Sequence, residues 1–91
     1  MIEIETLVEE IFRLYTGLER TGIRAMDALS LTDPELVAEL LATFESRDKA
    51  GSWLARRMAA FGGCCALEML SQGERESVTS VLHILRVGLE E

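Results

Sequence analysis

Ile4-Glu5-Thr6-Leu7-Val8-Glu9-Glu10-Ile11-Phe12-Arg13-Leu14-Tyr15-Thr16-Gly17-Leu18 decides the fold class. Ile4, Leu7, Val8, Ile11, Leu14, Tyr15 and Leu18 recur at steps of three and four, the period of one helix face. Glu5, Glu9, Arg13 and Glu19 fall mostly on the other side, and the Glu9–Arg13 spacing favours an ion pair along a helix surface. Gly22 is the expected stop. A short second helix is expected over residues 23–29, with Ile23, Met26 and Leu29 turned inward.

The same period runs through the rest of the chain. Thr32-Asp33-Pro34-Glu35 starts the next helix, by one of two routes. Thr32 with Glu35 has capping-box spacing, and Asp33 before Pro34 is the rival start. Leu36, Val37, Leu40, Leu41 and Phe44 form its apolar stripe. A fourth helix is expected from Lys49 or Ser52 to Ser71, and a last one from Glu74 to Leu89 with Val78, Val81, Leu82, Leu85 and Leu89 inward. No segment alternates with period two, so no strand is expected. The predicted fold is all-α: one domain over residues 1–91, a compact bundle of four to five short helices assembled as a dimer.

Composition supports the dimer. The chain has 91 residues, of which 48% are hydrophobic. A domain this small buries only about 60% of its unfolded surface. Part of the apolar content is therefore expected to be buried between chains. Net charge is −7, which disfavours non-specific binding to nucleic acid or to an anionic membrane. The opening Met1-Ile2-Glu3-Ile4-Glu5 is acidic, with no apolar run after it, so no secretory leader is expected. Nor is any run long enough to span a membrane. Two adjacent cysteines do not make a disulfide framework. A cytoplasmic setting is the expectation.

The most distinctive stretch is the run of small residues from Ala59 to Ala66, which contains Gly62, Gly63, Cys64 and Cys65. Two consecutive glycines inside a helix cost about 1 kcal/mol each against alanine, so they point to close helix packing, with a kink as the other reading. On a helix, Cys64 and Cys65 point about 100° apart. They are then expected to act as small packing residues without a disulfide between them. The single histidine, His83, supplies no third ligand at a recognisable spacing, so no metal or cofactor is expected. Nothing resembles a nucleophile elbow or a phosphate-binding loop, so no catalytic residue is named and no enzyme is expected.

The function expected is a small non-catalytic helical interaction protein, an adaptor or regulator that binds another protein and itself forms a homodimer. Its interface is placed on Met58, Phe61, Cys65 and Met69 around Gly62 and Gly63, with Arg56 and Arg57 on the rim. One alternative is a helix-turn-helix-like DNA-binding regulator using the basic segment 47–57. The turn from Glu45 to Gly51 looks long for that motif, and the acidic surface weighs against it. Another is a thiol redox sensor centred on Cys64 and Cys65. Trp53-Leu54, Gly62-Gly63 and Leu67-Glu68-Met69, in that order, resemble the toxin-binding region of a class of antitoxins. Cys64-Cys65 depart from that pattern, where a polar or basic residue and a proline are usual, and no site residue is carried over.

Overall fold

The computed structural model describes residues 2–90, and side chains over residues 3–88. Its elements, in chain order, are α1 (Ile2–Thr32), α2 (Pro34–Phe44), α3 (Arg47–Ala55), a 3-10 turn (Ala59–Phe61), α4 (Ala66–Ser71) and α5 (Arg75–Glu90). The all-α expectation holds. Leu89, expected in the stripe of α5, lies outside the described side chains.

The first correction concerns Gly22. It does not end a helix: α1 is continuous for 31 residues. At 1.5 Å per residue that is about 46 Å, which matches the longest dimension of the molecule, 46 Å. Gly22 lies where α3 crosses α1, with Gly51 of α3 directly opposite. A Cβ built on Gly22 would sit 2.2 Å from the Gly51 carbonyl oxygen. The two glycines bring the backbones together, so helix-breaking residues are kept inside helices for their lack of a side chain.

The end of α1 and the start of α2 settle the two rival caps. Asp33 is the N-cap, with Pro34 as the first helical residue. Its Oδ1 accepts from the Leu36 backbone N–H at 3.2 Å. Thr32 remains in α1, its hydroxyl donating to the Ala28 carbonyl. Proline disfavours helical backbone in the residue before it, and Asp33 leaves the helical region accordingly. Arg75 at the start of α5 donates to the same carboxylate through Nε at 2.7 Å and through a second guanidinium nitrogen at 3.2 Å. This bidentate pair ties α5 to the α1–α2 corner. The Arg75 hydrogen bond holds the Asp33 carboxyl below its ordinary pKa.

The second correction concerns the expected helix to Ser71. It is two helices with a turn between them. α3 ends at Ala55, and the chain is extended at Arg56 and Met58. Met58 and Cys64 face each other in one antiparallel bridge, with the Met58 N–H donating to the Cys64 carbonyl at 3.0 Å. Gly62 (φ 67°) and Gly63 (φ 89°) adopt left-handed backbone, and a Cβ on either would meet nothing within 4 Å. The close-packing reading of this pair is therefore overturned. The glycines permit a tight turn that folds Phe61 back into the core. Cys64 and Cys65 consequently do not sit on a helix. Cys65 precedes α4, and its backbone N–H donates to Glu68 Oε2 at 2.7 Å. That bond is the first cause of the lowered Glu68 pKa. α4 ends at Ser71, and the left-handed backbone of Gly73 lets the Glu74 and Gly73 N–H groups reach the Met69 and Leu70 carbonyls.

All five helices feed one core. Met26 of α1, Leu36 and Leu40 of α2, Leu54 of α3, Ala66 of α4, and Val78 and Leu82 of α5 are fully buried. Trp53 joins them between Phe44 and Phe61, with ring centroids 5.5 and 6.1 Å away. α3 packs most extensively on α1, while α2 bridges α1, α3 and α5. Among the described residues no helix is long and apolar enough to cross a membrane.

Candidate interaction face

α1 is longer than the body it belongs to. Its C-terminal half supplies the core through Met26, with Gly22 buried and Ala25 and Leu29 half-buried. The residues of the N-terminal stripe, Ile4 to Leu18, fall on the same side of the helix. At 100° per residue the eleven positions 4, 7, 8, 11, 14, 15, 18, 22, 25, 26 and 29 lie within about 120° of arc. One apolar face thus runs the length of α1. The body covers its C-terminal part and leaves the rest in solvent.

The seven apolar stripe side chains from Ile4 to Leu18 are 41–62% exposed, and Phe12 beside them is 60% exposed. Every described residue from Glu3 to Thr21 is exposed. That is the state of a helix shielded by little beyond its own neighbouring turns. Scattered exposed apolar residues are ordinary, but a contiguous set along one helix marks an interaction surface.

The cover stops where α3 ends. Leu14, Tyr15 and Leu18 of α1 and Ser52, Ala55, Arg56 and Arg57 at the end of α3 line an open groove of about 830 Å³, with Arg13 also on its wall. The apolar face therefore runs into a groove carrying three guanidinium groups and the Glu19 carboxylate. The opposite end of the face is acidic, with Glu3, Glu5, Glu9 and Glu10 and no cation over residues 3–10.

The interface residues expected from sequence are placed differently. Phe61 is 6% exposed, inside the core. Met58, Cys65 and Met69 are half-buried, with Met58 and Met69 packed on the core, while Gly62 and Gly63 form the exposed turn. Arg56 and Arg57 are exposed and stand at the groove beside α1. The structure thus joins the two arginines to the N-terminal stripe, a juxtaposition the sequence reading did not make. The missed signal was continuity: the three–four spacing crosses Gly22 without a break and reaches Leu29.

The other chemistry weighed from sequence finds these surroundings. The α2–α3 connection is only Glu45 and Ser46, so the turn is short, contrary to the expected long one. Glu45 takes left-handed backbone and Ser46 caps α3. Arg47 is paired with Asp27 of α1, so the basic segment is partly neutralised by its own fold. Cys64 and Cys65 are free thiols, both half-buried. Among the described residues no group of three or more His, Cys, Asp or Glu side chains is placed to hold a metal ion. No protein family, no curated protein and no solved structure matches the chain.

Proposed function

We propose that this chain is a non-catalytic helical interaction protein whose docking element is the bare N-terminal half of α1. The observation that carries this is the single apolar face that the body covers from Gly22 to Leu29 and leaves exposed from Ile4 to Leu18. An amphipathic helix presents its face to a partner through side chains at i, i+3, i+4 and i+7, and that is the spacing here. The body then serves as a platform that fixes where the helix begins to project.

A photo-reactive side chain placed at Leu14, 62% exposed on the face, tests this in the native cell. An adduct is expected from position 14 and none from Ser80, an exposed residue of α5. The adduct at 14 is expected to vanish when Leu7→Glu is added. Equal labelling from both positions, or none from position 14, refutes the docking role.

A further inference from the structure

We infer that the face of α1 is covered by the same face of a second copy, with the two helices antiparallel. The inference rests on the docking role proposed above and names its occupant. The first argument is pattern. Ile4, Leu7, Ile11, Leu14 and Leu18 alternate steps of three and four without exception, the heptad spacing that lets helices interlock. Val8 and Tyr15 widen that seam on one side, as in helices packed in bundles. A second copy brings an identical seam of equal length.

The second argument is area. At about half exposure and on the order of 150–200 Å² per large apolar side chain, the stripe offers roughly 600 Å² per copy. Two copies together bury roughly 1,200 Å², the lower bound of specific protein interfaces. Phe12, 60% exposed, and the groove add to this, which brings the face to the size a dimer needs.

The third argument sets direction. The arm is acidic towards its start, with four glutamates over residues 3–10, and carries a net charge of +1 beyond, with Arg13 and Arg20 against Glu19 over residues 11–21. A parallel pair would bring the two acidic ends together, with Glu3 and Glu10 of each copy nearest the seam. An antiparallel pair separates the two acidic ends and sets each against the half of the other copy that holds Arg13 and Arg20, the more complementary arrangement. It also carries Glu3 and Glu5 towards the groove where the partner's Arg56 and the partner's Arg57 stand. These exposed arginines then gain counter-charges beyond Glu19 and Glu68 of their own fold.

Sedimentation of the purified full chain tests this, with Trp53 fluorescence and circular dichroism confirming that each variant is folded. The wild type is expected to be a dimer. Leu7→Glu with Leu14→Glu, both at exposed positions, should weaken association roughly 100-fold or more, by placing unpaired carboxylates in the seam. Glu3→Lys with Glu5→Lys, and separately Arg56→Glu with Arg57→Glu, should each weaken self-association by about tenfold, while an equimolar mixture of these two variants restores it. A parallel pair would exchange one like-charge row for another and show no such loss. A wild type that stays monomeric at all concentrations, a dimer untouched by the Leu7 and Leu14 changes, or charge reversals without effect each overturn the inference. A monomeric chain that still gives the Leu14 adduct with a different protein overturns the second copy alone and leaves the docking role standing.

Discussion

Replacing Gly22 with alanine adds a single methyl group to the middle of α1 at the point where α3 crosses it. The new Cβ would lie 2.2 Å from the Gly51 carbonyl oxygen, 2.4 Å from its carbonyl carbon and 2.9 Å from its Cα. A carbon normally approaches a carbonyl oxygen no closer than about 3.3 Å, so the helices must part by about 1 Å. All three obstructing atoms are backbone, and no rotamer change relieves them. Overpacking costs typically 1–3 kcal/mol, and a clash with backbone belongs at about 3 kcal/mol on that scale. Alanine regains about 1 kcal/mol over glycine within a helix, leaving a net loss of about 2 kcal/mol. For a domain of this size that lowers Tm by roughly 10 °C. Trp53 is the only tryptophan and lies on α3, two residues beyond Gly51, so its fluorescence in urea reports the change directly. Gly17→Ala is the internal control: same helix, exposed, with nothing within 4 Å of the added Cβ. It should stabilise the protein by up to about 1 kcal/mol. If Gly22→Ala also stabilises, the backbones do not meet as described and the account of α1 as one continuous helix fails with it.

Two further predictions concern the corners of the fold. The Asp33 carboxyl is held below its ordinary pKa first by Arg75. Its contribution is therefore full above the unfolded carboxylate pKa of about 3.9 and is lost as pH falls through the lower folded value. In acid unfolding monitored by circular dichroism, Asp33→Asn keeps a capping side chain but should lose stability chiefly at neutral pH, narrowing its difference from wild type below about pH 4. Left-handed backbone gives a pair of opposite signs. Gly63→Ala (φ 89°) should cost about 1 kcal/mol in denaturant titration despite the open space around it, while Glu45→Gly (φ 61°) should gain up to about 1 kcal/mol; equal effects at the two sites would refute the turn geometry.

The helical class was legible because apolar spacing needs no tertiary information. Leu36, Leu40, Val78 and Leu82 sit in the core as their three–four pattern requires. The cap at Asp33-Pro34 was legible as one of two options, and proline's effect on the preceding residue selects it. The glycines were misread for one physical reason. A glycine is kept either for a positive φ or for a close approach, and composition does not distinguish them. Gly22 looked like a stop and proves to be a contact; Gly62 and Gly63 looked like a contact and prove to be a turn. The partner of Gly22 is Gly51, 29 positions away, and no local window contains both. Apart from Arg56 and Arg57, the residues expected at the interface lie away from the exposed stripe of α1, for a related reason. Periodicity tells which side of a helix is apolar, but the length of that side which is covered depends on where other helices end.

The end of α3 is what turns a core helix into a projecting one. α3 runs back along α1 from the Arg47–Asp27 pair, through the Gly22–Gly51 crossing, to Ala55 beside Leu18. There Arg56 leaves the helical region. Had α3 continued, as its sequence pattern suggests, it would have lain over the stripe towards Ile4 and satisfied it within one chain. Instead Phe61, just before the Gly62-Gly63 turn, packs against Trp53, and the stripe from Ile4 to Leu18 stays exposed. A solitary helix of some twenty residues is marginal in water, because helices draw most of their stability from packing of an apolar face. Among the described residues the projecting half of α1 joins the core through its buried half, which is the condition the proposed docking partner would relieve. The turn placed where the sequence suggested an interface is thus the reason that the stripe of α1 stays bare, which is what the proposed docking role requires.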